Sequence, residues 1–298
     1  MPNTLHEGHA EIIMATEILN LSNELATTVE RAATRVVAVH ARRGIGSSGI
    51  AWKNNLILTS AEGIRTEEGI KILLPDGRWI AARLRGRDSG TDLAVLEVEA
   101  GDLPQLEFAD DTALKPGQLA LAVGRTANTG PIASFGIVSG VSTEWKTWRG
   151  GKIDPFVRLD ISAYPTLSGG AVLDAGGKVL GLVSTGLSRS SVFAITRSTI
   201  DRIAGKLSQQ GYVSRGFLGV TLQPVGPGTM LIGLDPDGPA AAGGLLLGDV
   251  LVEFAHPEAL SELLERTPAG ETVKFRVLRA GVVQDLEVRV GERPSRGR

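Results

Sequence analysis

The residues best suited to chemistry lie together at Tyr164-Pro165-Thr166-Leu167-Ser168-Gly169-Gly170, between two apolar strand-like runs, Phe156 to Leu159 and Ala171 to Leu173. Glycines directly after a serine let the backbone turn tightly and expose the hydroxyl. They also gather amide N–H groups beside it, which is what a nucleophilic serine requires. The same three residues describe an ordinary hairpin corner equally well. What decides between these readings stands upstream of Ser168. Thiol chemistry, disulfides and thiolate metal sites are excluded, because the 298 residues include no cysteine.

The surrounding chain must supply elements that position such a serine. Apolar content of 42% and charged content of 21% are those of a soluble globular protein long enough for two or three cores. A formal net charge of −2 gives no electrostatic case for nucleic acid or an anionic membrane. The first 34 residues carry Ile13, Ile18, Leu19, Leu21, Leu25 and Val29 at helical spacing. Glu7, Glu11 and Glu17 interrupt that pattern and no basic segment precedes it, so the expectation is a cytoplasmic protein without a signal peptide or membrane span. A misassigned start would leave the cell envelope open.

From Val36 the period switches to alternation. Six short runs between 35 and 108, punctuated by turns such as Pro75-Asp76-Gly77-Arg78, predict a small antiparallel barrel. Six more between 109 and 212 predict a second, closed by an amphipathic helix over Arg197 to Gln210 with Gly211 as its stop. Residues 215–291 form a third region of strands and short helices, and 292–298 a basic tail. The fold class is mainly β.

Four ordered segments then carry a resemblance. Thr59-Ser60-Ala61-Glu62-Gly63-Ile64, Thr91-Asp92-Leu93-Ala94-Val95-Leu96, Phe156 to Val172 and Phe193-Ala194-Ile195 resemble motifs of the trypsin-like HtrA/Deg serine proteases. That family joins a double-barrel protease to C-terminal PDZ domains. The resemblance implies Ser168 at the nucleophile position, Asp92 at the acid position, and Thr166 and Ser168 at the oxyanion-hole position. It also implies an α+β PDZ domain over 215–291, with Phe217-Leu218-Gly219-Val220 as the carboxylate-binding loop for peptides or protein C-termini. Unfolded proteins and a homo- or hetero-oligomer are further partners of this family. No cofactor or metal is implied, and Glu62 with Asp92 offers a cation only two ligands.

The departures from the family pattern fall on the chemistry. Glu62 stands where the family has its base histidine. A carboxylate with an ordinary pKa of about 4.3 is too weak a base to take a serine proton near neutrality. Placed beside Asp92 it would also repel, so one of the pair should be protonated or the two should splay. Thr166-Leu167 replaces the family's Gly-Asn before the serine, and a β-branched threonine resists the backbone angles that a glycine tolerates. The four histidines, His6, His9, His40 and His256, fall elsewhere. The reading is a pseudoprotease that binds peptides through its PDZ groove. The alternative is a working endopeptidase in protein quality control, using Ser168 with a non-standard base. Trp145 and Trp148 are candidate surface aromatics for a partner.

Overall fold

The computed structural model describes residues 4–41, 46–101, 103–110, 114–147, 150–162, 164–188, 190–213, 216–267 and 269–292. The chain divides into two compact units, 1–213 and 214–298. The basic tail after 292, Arg215 and Trp148 lie outside the described residues.

Unit 1 opens with helix α1 (Thr4–Ala33), whose last turns bury Thr28, Ala32 and Ala33 while Ile18, Leu19 and Leu21 stay exposed. The buried Arg125 guanidinium receives this helix end. Its Nη2 donates to the Ala33 carbonyl at 2.6 Å, an acceptor that the helix C-terminus leaves open, and its Nε donates to the Val36 carbonyl at 2.8 Å, at the start of the next strand.

The first barrel comprises β1 (Val36–His40), β2 (Ser47–Ala51), β3 (Leu56–Ser60), β4 (Lys71–Leu73), β5 (Trp79–Asp88) and β6 (Leu93–Val98), closed in the order β1-β2-β3-β6-β5-β4. Alternation directs Val37, Val39, Ile57, Ile72 and Leu96 to its interior. The second barrel begins with β7 (Leu119–Thr126) and β8 (Gly130–Ser142), and a small hairpin follows, β9 (Trp145–Lys146) with β10 (Lys152–Ile153). β11 (Phe156–Asp160), β12 (Ala171–Leu173), β13 (Val179–Ser184) and β14 (Val192–Ile195) complete it in the order β11-β14-β13-β12-β7-β8.

Leu93 and Val95 from one barrel meet Val123 and Leu182 from the other in a shared core. Helix α2 (Arg197–Gln210) adds Ile200, Ile203 and Leu207, and Gly211 ends it at φ 83°, with its N–H on the Leu207 carbonyl at 3.0 Å. The mainly β, double-barrel class expected from the turn-punctuated runs is therefore the observed one.

Trp145, named as a candidate surface aromatic, is half-buried, stacked on Phe193 with ring centroids 4.9 Å apart and edge-on to Phe156 at 5.4 Å.

Unit 2 comprises β15 (Gly216–Phe217), β16 (Val220–Val225), β17 (Gly228–Leu234), α3 (Pro239–Ala242), β18 (Val250–Leu251), α4 (Pro257–Arg266), β19 (Thr272–Arg279), β20 (Val282–Arg289) and β21 (Gly291–Glu292). Its five-stranded sheet runs β16-β17-β18-β19-β20, with β15 paired to β21. Leu218, Leu231, Leu251, Leu260, Phe275 and Val288 form the core. Asp249 is buried beneath it and takes a two-pronged ion pair from Arg279, with Nε and Nη2 each 2.7 Å from a carboxylate oxygen. Burial opposes its charge, but Arg279 and the Leu246 N–H hold its carboxyl below the ordinary value. Among the described residues, no helix is long and apolar enough to cross a membrane.

Candidate active site

Ser168 sits at the end of a single 3₁₀ turn, Pro165–Leu167, which the extended Tyr164 enters. Proline at the first position presets the turn's φ and has no N–H to lose. The Leu167 N–H donates to the Tyr164 carbonyl at 2.9 Å and the Ser168 N–H to the Pro165 carbonyl at 3.3 Å. The next two amides are also taken, Gly169 by the Val183 carbonyl and Gly170 by the Leu167 carbonyl, both at 2.8 Å.

A planar trans peptide points its C=O and N–H in opposite directions. With the Pro165 carbonyl turned toward the Ser168 amide, the Thr166 N–H points away from it. The Thr166 and Ser168 amides, expected from the resemblance to form an oxyanion hole, therefore diverge. Leu167 is fully buried in the core of the second barrel. Gly169 has φ 84°, and a Cβ there would collide with the Ser48 carbonyl oxygen. Ser168 is only 4% exposed, and its Oγ has no hydrogen-bond partner among the described residues.

Asp92 precedes β6 at φ 55° and is 1% exposed. Its carboxylate is already occupied. The Ser60 hydroxyl lies 2.8 and 2.9 Å from its two oxygens, the Glu62 N–H donates at 2.9 Å, and the Ser184 hydroxyl donates at 2.6 Å. Burial pushes this carboxyl up more strongly than those donors hold it down, and the Glu62 charge pushes the same way.

Glu62 itself is exposed, just beyond β3. A Cβ on Gly186 would lie 2.8 Å from Glu62 Oε2 and 3.0 Å from Asp92 Oδ1, so both carboxylates flank that one glycine. The structure thus brings Glu62 and Asp92 together, with no histidine between them among the described residues. His40 packs edge-on to Trp79, with ring centroids 6.2 Å apart, His256 precedes α4 in the other unit, and the side chains of His6 and His9 lie outside the described residues.

The raised Asp92 carboxyl carries a pH consequence. Between the unfolded value of 3.8 and the higher folded value, the folded state holds the proton longer. Stability therefore falls as pH rises through that window. Asp92→Asn is expected to flatten this fall, so that its urea midpoint relative to the parent improves from about pH 4 to about pH 7. A difference independent of pH would contradict the assignment.

Three polar neighbours of these residues escape a reading of the sequence: Ser48, Ser60 and Ser184. Each is a fully buried hydroxyl at or near the end of an apolar strand. The only signal was a serine where alternation calls for an apolar side chain.

The residues around this turn also match known proteins. Residues 47–182 match the trypsin-like peptidase domain family. A probable periplasmic DegP-like serine endoprotease of Halomonas elongata is 35% identical over 276 residues, covering 85% of this chain and 58% of that protein. A counterpart from a Marinomonas strain is 32% identical over the same shares. The chain thus spans little more than half the length of these relatives.

Among solved structures, the HtrA-type protease AlgW with a decapeptide superposes with TM-score 0.72 at 26% identity, covering 91% of this chain and 99% of that one. The serine endoprotease from Yersinia pestis gives 0.72 at 29%, covering 91% and 98%. The relatives' periplasmic names overturn the cytoplasmic expectation and point to the cell envelope. The acidic, helical start of the chain on which that expectation rested does not report on compartment. Double-barrel architecture, ordered motifs and these likenesses agree: the chain belongs to the HtrA/Deg family of trypsin-like serine proteases.

Proposed function

We propose that this chain is a proteolytically silent member of its family that binds extended peptides through unit 2. The observation that carries the reading is the buried Ser168 Oγ, which among the described residues has no hydrogen-bond partner to take its proton. Attack by serine needs a base within hydrogen-bond reach and donors converging on the developing oxyanion. Glu62 offers a weak base, Asp92 is filled by other donors, and the Ser168 amide is spent on Pro165.

Unit 2 supplies the binding function as a PDZ-type domain. β16 is the end strand of its sheet, so one edge is unpaired, and α4 packs beside it. The turn before β16 contains Gly219 at φ 77°, while Leu218 is buried in the core and Val220 packs against it. A ligand added as a strand along β16 would place its terminal carboxylate at the backbone of Gly219 and Val220. Phe217 and Leu218 support the loop from β15 and the core. Two solved neighbours hold bound peptides, a decapeptide and a tripeptide, which favours this class of ligand. The relatives' periplasmic names support the envelope as the compartment.

The full chain is expected to leave unfolded casein as intact as Ser168→Ala does. It should bind a free C-terminal peptide at least about tenfold more tightly than its amidated twin, because a charge-assisted contact is lost. Cleavage that Ser168→Ala abolishes would establish an enzyme. Equal binding of the two peptides would remove the carboxylate-binding role.

A further inference from the structure

Ser48 is a fully buried residue of β2, outside the expected catalytic set, yet it touches the nucleophile turn twice. Its N–H donates to the Ser168 carbonyl at 2.9 Å, and its Oγ donates to the Thr166 carbonyl at 2.6 Å. The same Oγ accepts the Arg125 N–H at 2.9 Å, and its own carbonyl accepts the Thr59 hydroxyl at 2.6 Å. The Oγ also lies 3.4 Å from the Arg125 carbonyl, a longer alternative for its one proton. Every polar group of this residue is therefore used, and two of the five contacts hold the turn. Gly124 leaves the space for this, since a Cβ there would stand 2.6 Å from Ser48 Oγ and 3.1 Å from Leu167 Cδ2.

We infer that Ser48 is a latch, a positioning residue that holds the Pro165–Leu167 turn in the closed form in which the Thr166 and Ser168 amides diverge. The inference deepens the reading of a silent site and rests on it for its functional meaning. With its carbonyl tied to Ser48, the Thr166–Leu167 peptide must turn its N–H toward Tyr164, as observed. That orientation, with Leu167 anchored in the barrel core, fixes the turn at both ends. Removing the hydroxyl takes the donor from the carbonyl of the half-buried Thr166 in the closed form only, so the turn gains access to open forms. Arg125, which binds Ser48 through its N–H and the end of α1 through its guanidinium, joins the latch to the N-terminal helix.

The test is hydrogen exchange on the full chain, comparing the parent with Ser48→Ala and with the isosteric Ser48→Cys. Exchange in peptides covering 164–170 should quicken by about tenfold or more, while β7 and β13 keep parental protection. Ser48→Cys covers the case in which the alanine variant does not fold. Unchanged exchange across 164–170 in a folded variant would overturn the latch, and so would quickening that is uniform over the barrel.

In a Glu62→His background, adding Ser48→Ala should also raise labelling of Ser168 by a fluorophosphonate, in which Oγ displaces fluoride from phosphorus, by about tenfold. A substitution that merely damaged the fold would lower labelling. Rapid labelling of the parent would sink the silent-site reading while leaving the exchange result to judge the latch alone.

Discussion

Replacing Glu62→His together with Thr166→Gly and Leu167→Asn is expected to switch on casein cleavage, at least about a thousandfold above the parent. The imidazole supplies a proton acceptor near neutral pKa where Glu62 now faces Asp92. It would have to share Asp92 with Ser60, whose hydroxyl lies within reach of both carboxylate oxygens. Glycine at 166 lifts the β-branched restriction on the turn, and asparagine at 167 withdraws the fully buried leucine that pins it. Glu62→His alone should gain far less, because the Ser168 amide would stay on the Pro165 carbonyl. Losing Leu167 from the barrel core should cost about 2–4 kcal/mol of stability, so the rise in activity would come against a fall in Tm. Inactivity of a folded triple variant would show that the cleft, and not only the chemistry, has closed.

The largest stability effect is expected at Gly169→Ala, with a loss of more than about 4 kcal/mol in chemical denaturation of the full chain. The site has φ 84°, and an added Cβ would meet the Ser48 carbonyl oxygen, Thr59 Oγ1 at 2.7 Å and the Ser60 N–H nitrogen at 2.8 Å. These neighbours are barrel backbone and a buried hydroxyl, neither free to move aside. Gly177→Ala is the control, with the same φ of 84° but its nearest neighbour, Thr28 Cγ2, at 3.4 Å. That substitution should cost only about 1–2 kcal/mol, the strain of a left-handed non-glycine residue. Equal losses at the two sites would mean that close approach around the nucleophile turn contributes nothing.

Much of this was legible in the sequence. Alternation and turn residues announce both barrels, because a strand's period of two survives in single-sequence patterning. The amphipathic run before Gly211 announces α2 in the same way. The pairing of Glu62 with Asp92 was also readable, since the two ordered motifs around them leave little freedom in where β3 and β6 end. The conformation of Pro165–Leu167 was not. A β-branched residue signals resistance to glycine's angles, but the direction of a peptide is set by partners distant in sequence, here Ser48. Ser60 and Ser184 were invisible for the same reason, as buried hydroxyls whose partner is a carboxylate at least 32 positions away. The packing of Trp145 was equally unreadable, because loop placement says nothing of the Phe193 and Phe156 rings beside it.

The most direct measurement is covalent labelling of Ser168 in the parent chain by a fluorophosphonate, followed by mass spectrometry against Ser168→Ala. A hydroxyl without an acceptor for its proton should label no faster than a background serine. An adduct on Ser168 forming at the pace of a competent hydrolase would contradict the account.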